Sequence, residues 1–200
     1  MQSTRIDAAQ FLKEAFADHR VVVEETALIV TDAFVKLADL CTQSLLSGGK
    51  ILLFGNGGSA ADAQHLAAEL VVRFNGKRNA LAAIALTTDT SILTAAGNDL
   101  GFDQIFARQV AALARPGDLA IGISTSGLSP NIIAALEAAR VNGCGTVSLT
   151  GQNSSELDRV SDLVLAVPSS NTARIQEIHG LIGHALCAVL DERFSIASGR

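Results

Sequence analysis

The chain has 200 residues, 48% hydrophobic and 18% charged, a balance that can fill a core and excludes a disordered chain. With a net charge of −5, no Trp, no Tyr and eight Phe, neither a basic nucleic-acid face nor an aromatic base-stacking platform is expected, although one locally positive pocket for an anionic small molecule stays open. Seventeen Gly against three Pro exclude collagen-like and proline-rich designs, and Cys41, Cys144 and Cys187, an odd set without a C-x-x-C spacing, read as buried reduced thiols.

The opening MQSTRIDAAQFLKEAF lacks the apolar stretch of a secretion signal, and no run of about 18 apolar residues occurs. A cytoplasmic chain that neither crosses nor binds a membrane is expected. The first segment reads as helical. From Val23, the residues Val23, Ala27, Val30, Phe34, Leu37 and Cys41 alternate steps of four and three, a heptad-like stripe. Leu45 and Leu46 extend it, and Gly48-Gly49 stops it. Such a seam must be buried, either on its own domain or against another subunit.

Beyond it the pattern changes. Ile51–Phe54, Leu81–Leu86, Leu119–Ile123, Thr146–Leu149 and Leu163–Val167 are short apolar runs without alternation, the signature of strands buried on both faces. Helical stretches lie between them: Ser59–Phe74, Asp103–Ala114, Asn131–Val141 and, last, Thr172–Arg193. Strands alternating with helices predict an α/β fold, a five-stranded parallel sheet flanked by helices in three layers. No linker is evident, so one domain is expected over 1–200, with N-terminal helices over 1–48 and an α/β core over 50–194.

Ligands of open α/β sheets sit at the carboxyl ends of the strands, and two turns there are unusual. The first, Gly55-Asn56-Gly57-Gly58-Ser59, brings glycines against the start of a helix, where free amides and the dipole favour an anion. It also fits G-x-G-x-x-A through Gly55, Gly57 and Ala60. The nearest acid after the next strand, Asp89, lies well beyond the roughly 20 residues a dinucleotide site requires. The second, Ser124-Thr125-Ser126-Gly127-Leu128-Ser129, precedes Pro130 and places four hydroxyls around a helix start. One Ser would suffice for capping; four predict a phosphate cradle. The two turns together point to one phosphorylated small molecule.

The histidines are few. His65 and Glu69 share a helix face at a spacing of four, from which they could hold one metal ion. The last helix carries Gln176, Glu177, His179 and His184. Gln176 and His184 differ by about 80° around the helix and Glu177 aligns better with His184, so spacing does not choose between the two. His179 reads as a surface or supporting residue. His19 lies in the N-terminal helix without a nameable partner.

Gly55-Asn56-Gly57-Gly58-Ser59-Ala60-Ala61-Asp62, His65-Leu66-Ala67-Ala68-Glu69, Gly97-Asn98-Asp99, Ser124-Thr125-Ser126-Gly127 and Thr172-Ala173-Arg174-Ile175-Gln176-Glu177-Ile178-His179 occur in this order along nearly the whole chain. The sequence resembles the phosphoheptose isomerases, or sedoheptulose 7-phosphate isomerases, of the sugar-isomerase (SIS) fold. That resemblance implies a homotetramer with sites at subunit contacts. It implies one zinc ion per subunit, held by His65, Glu69, Gln176 and His184, which selects Gln176 over Glu177. It implies substrate contacts from Asn56, Gly57, Gly58, Ser59, Glu69, Asn98, Asp99, Ser124, Thr125, Ser126, Ser129 and Gln176. The implied reaction is aldose–ketose isomerisation of sedoheptulose 7-phosphate to D-glycero-D-manno-heptose 7-phosphate through an enediol(ate), with Glu69 as base and His184 as acid. Zinc would serve either as a Lewis acid or structurally. Leu128 departs from the Asn expected in an S-T-S-G-N-S loop. Some SIS-fold relatives instead bind a protein partner, such as a replication initiator, or sense a sugar phosphate. The presence of His65, Glu69, Gln176 and His184 favours the enzyme.

Overall fold

The computed structural model describes residues 7–195. Its first helix, α1, runs from Ala8 to Leu46 and is capped by Asp7, whose carboxylate accepts from the amides of Ala9 and Gln10. There follow β1 (Ile51–Gly55), α2 (Gly58–Val71), β2 (Ala83–Ala85), α3 (Thr90–Asp99), a single 3-10 turn (Phe102–Gln104), α4 (Ala107–Leu113), β3 (Leu119–Ser124), α5 (Pro130–Val141), β4 (Gly145–Thr150), α6 (Ser155–Asp158), β5 (Leu163–Ala166) and α7 (Thr172–Arg193).

The five strands are parallel in the order β2-β1-β3-β4-β5. Alternate strand residues feed two separate cores, as a two-residue side-chain period dictates. Leu53, Ile121, Ile123, Val147 and Leu165 pack with α1, α2 and α7 on one face. Leu52, Phe54 and Ala120 pack with α4 and α5 on the other. The chain therefore leaves β1 towards one face and β3 towards the other. These two strands are neighbours, with Gly55 level with Ile123. The strand order reverses between them, and their carboxyl ends frame the crevice in which open α/β sheets bind ligands.

Several expectations need correction. The N-terminal segment is one helix over the described residues, not several. Its buried seam in the first half is Val22, Thr26 and Val30, so Val23 is only partly buried and Ala27 is exposed. Thr26 is tolerated inside because its hydroxyl donates to the Val22 carbonyl at 2.6 Å. The second strand is shorter than the apolar run that announced it, since Leu81 and Leu86 pack in the core from outside the strand. The helix expected over Asp103–Ala114 is a 3-10 turn followed by a short α4, and α2 stops at Val71 rather than Phe74. Helix α3 was not foreseen. Its Thr, Ser and Gly content hides the period, while Asp89 caps it by accepting from the Ile92 amide at 2.9 Å. That role removes Asp89 as a ribose ligand. All three cysteines are free and buried, as expected. Among the described residues no helix is long and apolar enough to cross a membrane.

Candidate functional site

The turn after β1 is shaped by its first helical amides. Those of Ser59, Ala60 and Ala61 return to the carbonyls of Asn56 and Gly57, which leaves the amides of Gly57 and Gly58 at the open end of α2. The turn after β3 closes through the Gly127 amide, which donates to the Ser124 carbonyl at 3.1 Å. Ser124 Oγ donates to Ser129 Oγ at 3.1 Å and lies 3.5 Å from Ser126 Oγ, which in turn accepts from the Leu128 amide at 3.2 Å. Ser129 occupies the cap position of α5 without capping it. The hydroxyls thus serve each other rather than the helix. Ser124 is buried, Thr125 and Ser129 are half-buried and Ser126 is exposed, so the cluster opens to solvent on one side.

The second half of the site is assembled from α2 and α7, which pack against each other over Leu66 and Gly183. A methyl group on Gly183 would lie 2.5 Å from a Leu66 methyl, so any larger residue would force Leu66 to shift. The approach brings His65 and His184 together, Nε2 to Nε2 at 2.8 Å, one imidazole donating to the other. Glu69 Oε1 stands 3.8 Å from His65 Nε2, and Phe74 stacks on the His184 ring at a centroid distance of 5.4 Å. Gln176 lies over the backbone of Gly58, where even a Cβ would fall 2.2 Å from its amide nitrogen. Glu177 points elsewhere: its carboxylate binds His19 Nδ1 at 2.7 Å and Arg174 Nη2 at 2.6 Å. The choice that spacing left open is therefore made by packing, and His19 acquires the partner it lacked. His65 thus joins His184 and Glu69 midway along the α2–α7 pair, while Gln176 stands at the start of α2 over Gly58. Their donor types, two imidazoles, a carboxylate and an amide oxygen, suit zinc. Among the described residues, however, no group of three or more His, Cys, Asp or Glu already converges as a metal site.

Asn98 and Asp99 end α3 and are exposed, with the Asn98 amide donating to the Asp99 carboxylate at 2.7 Å. Of the two readings of His179, surface or supporting, the surface one is wrong. The residue is buried under β4 with Nε2 at 3.2 Å from the Thr150 carbonyl, and burial pushes its pKa down to about 4, so it stays neutral.

Sequence reasoning missed four residues here. Asn131 exchanges two amide hydrogen bonds with Asn56, at 2.9 and 2.8 Å. Asp62 sits one turn before His65. Burial pushes its carboxyl above the usual range, against the opposing pull of His65 and Gln176. Arg78 and Asp191 form a buried ion pair, Nε to Oδ1 at 2.5 Å. Arg78 also donates to the carbonyls of Glu69, Leu70 and Asn79 at 2.7–3.0 Å, and Asp191 accepts from the amides of Asn75 and Gly76. The pair fills the orphan carbonyls at the end of α2 and ties them to α7. No spacing rule signals such a long-range pair. An Asn two residues past a cap was the only local hint of Asn131.

The profile of the SIS domain family matches residues 10–151. A phosphoheptose isomerase of Paramagnetospirillum magneticum is 55% identical over 179 residues, 90% of this chain and 93% of that protein. The solved phosphoheptose isomerase of Neisseria gonorrhoeae superposes with a TM-score of 0.86 at 45% identity, covering 92% of this chain and 98% of that one. The one from Francisella tularensis gives 0.90 at 39% identity, covering 94% and 100%.

Proposed function

This chain belongs to the SIS-domain family, among its phosphoheptose isomerases, and we propose that its site interconverts sedoheptulose 7-phosphate and D-glycero-D-manno-heptose 7-phosphate. It is an aldose–ketose isomerase; the non-catalytic binding reading is not favoured. The observation that supports the residue assignment is the contact between His65 and His184, which brings the acid to the helix that carries the base.

The phosphate sits among Ser124, Thr125, Ser126 and Ser129, held by hydroxyls and helix amides without an arginine. The sugar then reaches across the crevice to Gly57, Gly58 and Gln176, which fixes C1 and C2 near α2. Glu69 removes the proton from one carbon and returns it to the other, while His184 exchanges a proton with the carbonyl oxygen. Ser59 and Asn56 shape the first turn. Asn98 and Asp99 contact the substrate only if the C-terminal end of α3 faces the same ligand in the working assembly.

His65, Glu69, Gln176 and His184 would hold a zinc ion. Bound there, zinc would supply positive charge to oppose that of an enediolate. Glu69 cannot be a full-strength ligand and a full-strength base at once, so it exchanges partners during turnover or the ion is structural. Association of subunits, a tetramer in this reading, is supported by α1, where Phe11, Phe16, Leu28 and Ile29 are 59–85% exposed around the helix, apolar surface that a lone helix seldom leaves uncovered. Light scattering on wild type and Leu28→Asp tests this; a monomeric wild type would overturn it.

The function is tested by proton exchange. Sedoheptulose 7-phosphate in D₂O should gain deuterium at C1 or C2 together with an aldose signal by NMR, both lost in Glu69→Gln. A folded, zinc-loaded wild type giving neither signal would overturn the reading.

A further inference from the structure

We propose that Asn131 is a positioning residue for substrate binding, its reciprocal amide pair with Asn56 acting as a strut across the crevice between β1 and β3. The proposal rests on the reading above that the two turns share one sugar phosphate. Asn131 is the second residue of α5 and only 2% exposed. A side chain there ordinarily bonds the open amides of its own helix or turn. This one bonds nothing local. Its amide nitrogen donates to Asn56 Oδ1 at 2.8 Å and its oxygen accepts from Asn56 Nδ2 at 2.9 Å. Turning both amides over would preserve the pairing, so the tie does not depend on which end is called oxygen.

The pair joins elements on opposite faces of the sheet. Asn56 leads into α2 on one face, and Asn131 belongs to α5 on the other. Strand pairing sets the spacing of the turns only as far as Gly55 and Ile123, the last paired residues of β1 against β3. Beyond that level the amide pair sets it. Two consequences follow. The side chain of Asn56 is committed to Asn131, so Asn56 meets substrate through its backbone and by placing Gly57 and Gly58. And the hydroxyl turn and the glycine turn move as one body, which keeps the phosphate at a fixed reach from Glu69.

The test is a double-mutant cycle on the full-length enzyme with sedoheptulose 7-phosphate. Asn131→Ala and Asn56→Ala should each raise KM about tenfold, the loss expected when a buried amide loses its partner, with kcat within about threefold. The double variant should be no worse than either single, because both remove the same strut. Losses that multiply to about a hundredfold would mean that Asn56 contacts substrate independently, and an unchanged KM in Asn131→Ala would mean that the pair is only structural; either overturns the proposal. Asn131→Asp keeps the volume and removes the donor, and replaces Asn131→Ala if that variant does not fold. Amide exchange gives a readout that survives failure of the activity reading. If wild type does not isomerise the sugar, faster exchange at both Ser59 and Gly127 in the Asn131 variant still supports the strut, and unchanged exchange at Ser59 sinks it.

Discussion

The hydroxyl turn and the acid–base end of this site are built on opposite principles. The hydroxyl contacts of the turn after β3 all lie within Ser124–Ser129, so the sequence from β3 into α5 carries much of its own geometry. The acid–base end has no such local logic. His65 and His184 meet only because Gly183 lets α7 settle on Leu66 and because Arg78 and Asp191 tie the end of α2 to the end of α7. A locally built half should fail locally, by losing affinity. A half built from distant parts should fail in rate when its reactive groups change, and in stability when its tie is cut.

The sharpest break is at Glu69. Glu69→Gln is expected to lower kcat about 10³-fold, within the range for removing a general base, with Tm nearly unchanged because the side chain is partly exposed. His184→Gln should also act on kcat, by about 10²-fold. If either loss falls on KM alone, the residue belongs with the binding half and the division proposed here is wrong.

Cutting the tie comes next. Asp191→Asn leaves Arg78 buried without its counter-charge and should cost about 3 kcal/mol, a fall of about 6–12 °C in Tm for a chain of this size. Burial alone pushes the Asp191 carboxyl up, but the amides of Gly76 and Asn75 and the Arg78 guanidinium more than offset this, leaving it below its ordinary value. A carboxyl lowered in the folded state stabilises fully above its unfolded pKa, near 4, and loses that contribution as pH falls through the folded value. The gap in Tm between wild type and Asp191→Asn should therefore be constant near neutrality and narrow below about pH 4. A gap that widens in acid would mean that Asp191 is not the stabilising charge.

The same division explains what could be read without coordinates. The sheet was legible because strands buried on both faces carry unbroken apolar runs, and the hydroxyl turn because four hydroxyls in six residues exceed what a cap needs. His65 and Glu69 were legible as a helical pair. Their meeting with His184 came only from the resemblance and not from spacing, since it depends on how two helices pack. Spacing alone left Gln176 and Glu177 open, and the tertiary contacts of Glu177 with His19 and Arg174 turn it away. Arg78, Asp191 and Asn131 were invisible for the same reason: each pairs across at least 75 residues of chain. Helix α3, which carries Asn98 and Asp99, was hidden by its polar composition rather than by distance.

The smallest effects probe the hydroxyl turn. Ser126→Ala removes one hydroxyl from the phosphate and the acceptor of the Leu128 amide; KM should rise about tenfold with kcat retained. Leu128 offers the finer test, because it departs from the Asn of the related loop. Its side chain is 53% exposed, while its part in the turn is played by the backbone amide, which any residue but proline supplies. Leu128→Asn should therefore leave KM within about twofold and stability within about 0.5 kcal/mol, the usual range for an exposed position. A tenfold gain in affinity would show that the side chain at this position reaches the phosphate, and that the turn depends on more than its own hydroxyls and amides.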